Sequence, residues 1–185
     1  MGSVYLDQDE RDRAAVRRCL EGESAAFEEL VHRYQGALFN VAVRLLGRRD
    51  EATDATQNAF IKAYRHLGTF DATQRFFSWI YRILRNECLN VIRGRRVWEP
   101  LSDEVVGAVA PSDALEDIER QRAVQRAVMS LSQEYREVIA LRHFAGLSYE
   151  DIAATLGIPA KTVKSRLYSA RQRLAASLST WKVQS

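Results

Sequence analysis

The sequence predicts an all-α protein of two small helical domains joined by an acidic, flexible linker. Of its 185 residues, 46% are hydrophobic and 28% are charged, and there are only nine glycines and three prolines. Such a composition is globular and poor in the turn residues that many-stranded folds need. Apolar residues recur at helical spacing on both sides of a stretch without this pattern, which predicts domains at 1–96 and 120–185 and a linker at 97–119.

Three helical patterns, with room for a fourth, fill the first domain. The first pattern begins near Ser24, a residue type favoured as an N-cap, and ends near Gly47. The second extends from about Asp50 to Leu67, and the third from about Arg75 to Gly94. With a short additional helix before Ser24, the domain is predicted to be a three- or four-helix bundle. The aromatic residues expected mainly in its core are Phe76, Phe77, Trp79 and Tyr81.

The predicted linker is punctuated by turn residues and is acidic. Pro100, Gly107 and Pro111 interrupt any helical pattern. Seven acidic residues and no basic one occur between positions 97 and 119, namely Glu99, Asp103, Glu104, Asp113, Glu116, Asp117 and Glu119. A solvated spacer and a functional segment are both compatible with this composition.

Local signals in the second domain predict a helix-turn-helix. Ser132 is expected to cap one helix. Ser148 at an N-cap position and Asp151 three residues later have the pattern of a capping box, in which a hydroxyl and a carboxylate satisfy free amide groups. Gly157 then stands where a left-handed C-cap residue is needed, and Pro159 prevents the helix from continuing.

The last predicted helix is basic on its outer side. At about 100° per residue, Val163, Leu167, Ala170 and Leu174 fall on one side and form a buried stripe. A helix in the major groove has base edges beneath it and phosphates on both sides, and the outward residues match that distribution. The candidate base contacts are Lys164, Ser165 and Tyr168, with Lys161 as a weaker fourth, and the candidate phosphate contacts are Arg166, Arg171 and Arg173.

The distribution of charge indicates a polyanionic partner. The net charge is only +3, but six basic residues and no acidic one follow residue 160. Between Arg75 and Arg96 there are six arginines against one glutamate. Two basic blocks separated by an acidic linker predict two separate surfaces for a nucleic acid.

Other functional classes are poorly supported. His32, His66 and His143 lie on different predicted helices, and no phosphate-binding glycine loop or nucleophile motif occurs. We therefore expect no enzymatic activity, no metal and no other cofactor. Cys19 and Cys88 are expected to be reduced thiols with packing roles. Because no long apolar run and no signal-peptide pattern occurs, we expect a cytoplasmic protein that does not insert into a membrane.

Two segments of the chain resemble conserved regions of a known family. The motifs DATQNAFIKAY at 54–64, FFSWIYRI at 76–83 and RGRR at 93–96 resemble region 2 of the extracytoplasmic-function sigma factors of RNA polymerase. The segment 131–174, with GLSYEDIA at 146–153 and TVKSRL at 162–167, is similar to region 4 of the same family. Together the two segments cover about two-thirds of the chain, in the order that the family has.

The resemblance implies a transcription initiation factor that binds core RNA polymerase and promoter DNA. The last helix is expected to recognise the minus-thirty-five element. The residues expected to bind or open the minus-ten element are Asp71, Thr73, Gln74, Arg82, Arg85, Asn86, Asn90 and Arg93. The residues expected to dock on the clamp helices of the largest polymerase subunit are Asp54, Gln57, Asn58, Ile61 and Arg65. Asn58 stands where the family often has an acid. In the family the linker threads toward the polymerase active centre, and an anti-sigma factor is a further expected partner.

The alternative hypothesis is a stand-alone helix-turn-helix regulator whose first domain senses a ligand or dimerises. Such a protein would bind duplex promoter DNA tightly without polymerase, usually as a dimer on a palindrome. A sigma factor is expected to bind DNA weakly alone and specifically with core polymerase. The two hypotheses therefore differ in what the isolated chain does with intact duplex.

Overall fold

The computed structural model of the protein describes residues 2–98 and 112–182. Within those ranges every regular element is helical, so the predicted all-α fold class is confirmed. The helices are α1 (Gly2–Leu20), α2 (Ala26–Leu46), α3 (Arg49–Arg65), α4 (Phe76–Trp98), α5 (Ser112–Met129), α6 (Gln133–His143), α7 (Tyr149–Leu156) and α8 (Ala160–Lys182). A short 3₁₀ turn, Leu67–Thr69, follows α3.

Helices α1 to α4 form an N-terminal bundle around α2. The apolar residues of α2 recur at helical spacing, so Leu30, Leu38 and Val41 lie on one side and are fully buried. Helix α4 packs against α2 and α3 with Ile80 and Leu84 in the shared core. The residues of α3 that face this core are mostly small: Ala52, Ala55, Ala59, Phe60 and Ala63. Small side chains let α3 approach its neighbours closely and leave its polar side in solvent.

Helix α1 is longer than the short helix that the sequence predicts, and a buried carboxylate fixes it to α2. Asp12 is only 1% exposed. Its carboxylate accepts hydrogen bonds from the guanidinium of Arg33 and the hydroxyl of Tyr34, and from Gln8 Nε2 at 3.2 Å. Burial raises the pKa of Asp12 above its ordinary value, although the bonds from Tyr34 and Arg33 act in the opposite direction. A buried charge of this kind is stabilised by its partners, so α1 is held in one register on the bundle.

The start of α2 differs from the sequence-based prediction. Ser24 was the predicted N-cap, but α2 begins at Ala26 and its N-cap is Ala25, without a side-chain capping bond. The chain enters the helix through a turn in which the backbone N–H of Phe27 donates to the carbonyl of Ser24 at 3.1 Å. The backbone thus satisfies the amide that a serine side chain would otherwise cap. Gly47 ends the helix as predicted, at a φ of 83°.

Helix α4 continues past Gly94, where the sequence predicted its end. A single glycine inside a helix costs only about 1 kcal/mol relative to alanine, which tertiary contacts readily offset. The residue that follows supplies such contacts, because Arg95 donates to the carbonyl of Leu46 at 2.9 Å and to Glu51 Oε1 at 3.0 Å. The last turns of α4 are therefore tied to the junction between α2 and α3.

The predicted linker lies only partly within the described chain. Residues 99–111, which contain its two prolines and its glycine, are outside the described residues. Helix α5 begins at Ser112 and thus inside the range 97–119. A helix can start here because Ser112 and Asp113, residue types favoured at helix starts, are followed by the good helix formers Ala114, Leu115 and Glu116.

Helices α5 to α8 form a C-terminal bundle that contains the predicted helix-turn-helix. Ser148 Oγ accepts a bond from the backbone N–H of Asp151 at 3.1 Å, and Asp151 Oδ2 accepts one from the backbone N–H of Ser148 at 3.3 Å. The capping box is thus formed at the start of α7. Gly157 ends α7 at a φ of 67°, in the left-handed region that favours glycine, and α8 follows directly. The predicted helix-turn-helix is confirmed.

The two bundles pack against each other, and their buried residues form one continuous apolar core. Helix α2 contacts α5 and α6, and α4 contacts α7. At Gly47, an added Cβ would lie 3.1 Å from the terminal methyl of Met129, so α5 approaches the end of α2 closely. The two bodies are therefore in direct contact and are not held together by the linker alone.

Side chains of the C-terminal bundle satisfy the last carbonyl groups of α2. Gln125 Nε2 donates to the carbonyl of Val43 at 2.9 Å, and Arg136 Nη1 donates to the carbonyl of Leu45 at 3.0 Å. The other terminal nitrogen of Arg136 donates to the carbonyl groups of Met129 and Leu131 at 2.7 and 2.9 Å. The carbonyl of Leu45 lies in the last turn of α2, where intrahelical donors run out, so its bond from Arg136 is a physical reason for the bundles to associate.

The capping box at the start of α7 should contribute measurably to stability. We expect Ser148→Ala to lower the free energy of unfolding by about 1 kcal/mol, because an amide at the helix start loses its side-chain acceptor. Urea unfolding followed by circular dichroism measures this. Ser132→Ala is the matched control, because Ser132 is the N-cap of α6 but makes no side-chain capping bond. Equal losses in the two variants would contradict this interpretation of the capping box.

Candidate polymerase and nucleic-acid interfaces

Helix α8 buries its apolar stripe and presents a polar strip to solvent. Val163, Leu167 and Ala170 are at most 1% exposed, as their spacing predicts. The predicted DNA contacts that lie fully in the exposed class are Lys161, Lys164, Ser165, Tyr168, Arg171 and Arg173. Tyr168 is 67% exposed, a high value for an aromatic side chain that has no packing role. The strip is therefore open to a partner along the first three turns of the helix.

Two of the predicted phosphate contacts are held against α6. Arg166 Nη2 lies 2.8 Å from Glu134 Oε2. The guanidinium of Arg173 lies over the ring of Tyr135, 5.2 Å from its centroid. Glu134 is largely in solvent, so its ion pair with Arg166 is weak and a phosphate can replace it. The structure thus orients Arg166 and Arg173 at one side of α8, while Arg171 and Lys164 are exposed on the other.

One cation of α8, Arg171, lowers the pKa of a histidine that the sequence did not assign to this surface. Burial lowers the pKa of His143 below its usual range, and the positive charges of Arg171 and Arg142 lower it further. The lowered pKa favours the neutral form of the His143 imidazole.

Helix α3 exposes the five residues that were predicted to bind polymerase. Asp54, Gln57, Asn58, Ile61 and Arg65 are all in the exposed class, opposite the buried alanines. Ile61 is 48% exposed, and it is one of four large hydrophobic side chains that are exposed in the described part of the chain. Tyr64 is also 48% exposed, and its ring packs edge-on against Phe27. The strip therefore combines polar groups with one apolar anchor.

The loop before α4 brings three predicted minus-ten residues together. Asp71 Oδ1 accepts bonds from the backbone N–H and the hydroxyl of Thr73 at 2.9 and 2.8 Å, and Gln74 Nε2 donates to Asp71 Oδ2 at 3.2 Å. These bonds, first that from the backbone of Thr73, lower the pKa of the Asp71 carboxyl. The side-chain oxygen of Gln74 in turn accepts a bond from Arg82 on α4. The loop is thus an ordered turn tied to the helix that follows it.

Helix α4 separates its predicted DNA contacts into two groups. Arg82, Asn86, Asn90 and Arg93 are exposed on one side. Arg85 is only partly exposed, because its Nε lies 2.6 Å from Glu137 Oε1 on α6. The structure therefore does not place Arg85 in the open face that the other four residues form.

A shallow cleft of about 360 Å³ lies between α3 and α4 beside this open face. Asn86 and Asn90 line it, together with residues that the sequence did not single out for this role: Lys62, His66, Thr69, Trp79, Ile83 and Glu87. Lys62 Nζ lies 2.6 Å from Glu87 Oε1 and closes one side. Only the fold could reveal this cleft, because its residues come from three elements.

The aromatic residues at the start of α4 mainly belong to the core. Phe76, Phe77 and Tyr81 are at most 9% exposed, and Phe77 stacks on Tyr81. Trp79 is half-buried, packs on Phe70 and reaches the cleft. The core interpretation is thus confirmed for three of the four, while Trp79 has one edge available to a ligand.

Both cysteines are free thiols, in different surroundings. Cys88 is 1% exposed, and burial raises its pKa to about 12. Cys19 is partly exposed, and burial raises its pKa to a smaller extent. Within the described residues, no group of three or more histidine, cysteine or acidic side chains could hold a metal ion. In the same part of the chain, no helix is long and apolar enough to cross a membrane.

Comparison with known families matches both bundles. Sigma-70 region 2 matches residues 30–97, and Sigma-70 region 4 matches residues 121–174. Relatives of similar length include the RNA polymerase sigma-H factor of Pseudomonas aeruginosa, 37% identical, with 91% of this chain and 94% of the relative covered. The sigma-E factor of Escherichia coli K12 is 37% identical, covering 88% and 92%, and SigW of Bacillus subtilis is 32% identical, covering 88% and 94%.

Solved structures give the same result. The structure of CnrH in complex with the cytosolic domain of CnrY has a TM-score of 0.73 at 27% identity, covering 92% of this chain and 98% of that one. The sigma factor RpoE in complex with the anti-sigma factor NepR, from Bartonella quintana, has a TM-score of 0.68 at 30% identity, covering 83% and 96%.

A chain that carries region 2 and region 4 in this order, with only helices among its described elements, is a transcription initiation factor that directs RNA polymerase to promoters. The chain belongs to the extracytoplasmic-function group of the sigma-70 family. The stand-alone regulator is not favoured, and neither matched region is a catalytic family.

The environments of the two thiols predict unequal reactivity. We expect iodoacetamide at pH 8 to modify Cys19 in the native chain and to leave Cys88 unmodified, because a thiol with a pKa of about 12 is almost entirely protonated at that pH. Mass spectrometry of tryptic peptides measures the extent of modification. Urea-unfolded chain, in which both should react, is the control. Modification of native Cys88 as fast as Cys19 would show that its burial is not maintained in solution.

Proposed function

We propose that this sigma factor binds core RNA polymerase through the exposed side of α3 and contacts the promoter with α4 and α8. In this proposal residues 1–96 dock on the clamp helices of the largest subunit and open the minus-ten element. Residues 97–119 connect the two domains, and residues 120–185 recognise the minus-thirty-five element. The protein acts by binding and not by catalysis, without a cofactor, in the cytoplasm where its polymerase is found.

One observation carries the proposal: a single chain exposes the Ile61 strip of α3 and the Tyr168 strip of α8 at the same time. Each strip lies opposite a buried apolar stripe, so neither is needed for folding. An exposed aliphatic anchor among polar groups suits a protein partner. An outward strip with lysine, serine, tyrosine and arginine suits the major groove.

The cleft beside α4 supports a role in holding an unpaired base. Opening DNA by binding requires a pocket that compensates the loss of stacking, with a polar lining and a nearby aromatic side chain. Asn86 and Asn90 supply amide groups, and Trp79 supplies an aromatic edge. Arg82 and Arg93 are exposed on the same helix and are placed to hold the backbone phosphates of the strand.

An anti-sigma factor is a further proposed partner. RpoE of Bartonella quintana, which this chain resembles over 83% of its length, was solved in complex with the anti-sigma factor NepR. The compact packing of the two bundles offers such a protein one surface that includes parts of both. Binding there would prevent the bundles from reaching separate promoter elements.

The polymerase-binding surface is tested with Ile61→Arg. We expect this variant to lose binding to purified core polymerase by at least tenfold, because a charge replaces the apolar anchor in a desolvated interface. Gel filtration and run-off transcription on a genomic fragment library measure binding and promoter use. Leu20→Arg is the matched control, because Leu20 is equally large and 56% exposed but lies on α1. Unchanged transcription by Ile61→Arg would contradict the proposed α3 interface.

The two kinds of contact on α8 predict two kinds of loss. Arg171→Gln should weaken binding of the holoenzyme to all promoter sequences and reduce the salt slope by about one unit, because a phosphate contact is removed. Lys164→Gln should cost about 1–3 kcal/mol at one base pair of the minus-thirty-five element and leave other sequences unaffected. Fluorescence anisotropy with native and singly substituted promoters, at several salt concentrations, measures both. Identical behaviour of the two variants would be inconsistent with these assignments.

A further inference from the structure

Helix α6 packs against α8 so that each of its ends lies at a different side of the exposed strip. At the start of α6, Glu134 Oε2 lies 2.8 Å from Arg166 Nη2. His143 is the last residue of α6, and it is close enough to Arg171 for the charge of that guanidinium to act on the imidazole. Because Arg166 and Arg171 flank the strip on opposite sides, α6 supplies one neighbour to each side.

The two neighbours differ in charge. On the first side, a carboxylate already pairs with the arginine of α8. On the second side, the charged groups that act on the imidazole are all basic: Arg142 from α6 and Arg171 from α8. Helix α7 lies nearby and carries Glu150 and Asp151, but neither carboxylate contributes to the pKa of His143. Positive charge is therefore concentrated on one side of the strip only.

Arg142, His143 and Arg171 form a basic cluster without a carboxylate partner among the described residues. Arg142 Nη1 donates to the carbonyl of Leu147 at 2.7 Å, and its guanidinium lies 5.1 Å from the centre of the Tyr149 ring, so neutral groups hold it in place. Both Arg171 and His143 are exposed. The cluster is thus open to an anion from solvent.

An anion would reverse the electrostatics of the cluster. In the free chain, burial and the charges of Arg171 and Arg142 lower the pKa of His143, although the C-terminus of α6 is a position where the helix dipole favours a cation. A bound anion is attracted by both arginines and stabilises the protonated imidazole. Binding of an anion and uptake of a proton at His143 therefore favour each other.

The position of the cluster indicates which anion it meets. Arg171 shares its side of α8 with Lys164, one of the proposed base contacts. When a recognition helix lies in the major groove, the phosphates of the two strands flank it on both sides. A strand that is read by Lys164 therefore places its backbone phosphates beside Arg171 and the end of α6.

We propose that His143 is a further DNA contact of this sigma factor, which binds a backbone phosphate at the minus-thirty-five element together with Arg171 and Arg142 and takes up a proton as it does so. This inference rests on the proposed function in placing α8 in the major groove. The proton comes from solvent, and the protonated imidazole donates a charge-assisted hydrogen bond to a phosphate oxygen.

The pH dependence of promoter binding tests this contact. The pKa of His143 is lowered in the free chain and rises when a phosphate is bound, so binding takes up a proton and tightens as the pH falls. Relative to His143→Gln, the wild-type holoenzyme should gain about fivefold in affinity between pH 8 and pH 6, and its salt slope should steepen by about 0.9, the value for one phosphate contact on duplex DNA. Fluorescence anisotropy with a fluorescein-labelled promoter duplex from the run-off library measures both.

Two further variants separate the titration of His143 from its position. His32→Gln removes an exposed histidine of α2 outside the proposed DNA contacts and should keep the wild-type pH dependence. His143→Lys carries a fixed charge, so it should bind at pH 8 about as tightly as the wild type does at pH 6. Circular dichroism shows that each variant keeps the helical fold. Equal pH dependence in the wild type and His143→Gln, or no gain at pH 8 from His143→Lys, would overturn the inference.

Failure of this inference is distinguishable from failure of the proposed function. Lys164→Gln and Arg171→Gln test α8 itself at pH 8, where the imidazole is largely neutral. If both weaken promoter binding as expected while His143→Gln behaves like the wild type at every pH, only the phosphate contact of His143 is wrong. If neither weakens binding, α8 does not bind the minus-thirty-five element, and the inference fails together with the proposed function.

Discussion

Hydrogen bonds to the C-terminal end of α2 join the two bundles and the end of α4. Three of its last carbonyl groups, those of Val43, Leu45 and Leu46, accept hydrogen bonds from side chains far away in sequence. Two donors, Gln125 and Arg136, come from the C-terminal bundle and one comes from the end of α4. The carbonyl of Val43 also accepts the backbone N–H of Gly47 at 2.9 Å, while those of Leu45 and Leu46 lie in the last turn, where intrahelical donors run out. One helix end therefore helps to position both α4 and the C-terminal bundle.

The cations that we propose as DNA contacts differ in their surroundings. Lys164 and Arg171 stand in solvent, while Arg166 is paired with an exposed glutamate that solvent already weakens. Arg85 is paired with a glutamate that is almost fully buried. The proposed DNA contacts on α8 are therefore exposed, whereas Arg85 is engaged within the protein and lies apart from the open face of α4.

Periodicity and local motifs predicted most of the fold from the sequence. Once Val163 and Leu167 are known to face the core, helical periodicity predicts which residues of α8 face outward. The capping box could be predicted because Ser148 and Asp151 are only three residues apart. Ser132 and Ser24 were weaker predictions, since a residue type alone does not show whether a side-chain bond forms. The pairs of Arg85 with Glu137 and Arg75 with Asp151 span 52 and 76 residues, so no local pattern contains them. The cleft beside α4 was missed for the same reason.

The Asp151 carboxylate makes one local contact and one contact to a residue far away in sequence. One oxygen of its carboxylate binds the backbone of Ser148 and starts α7, and the other binds Arg75 of the opposite bundle. Loss of the arginine would leave the two capping bonds in place, so the start of α7 does not depend on the contact with the N-terminal bundle. The reverse is not true, because any change at position 151 alters local folding and bundle docking together. A substitution at position 75 therefore leaves the start of α7 unchanged, whereas a substitution at position 151 changes both the contact between the bundles and the start of α7.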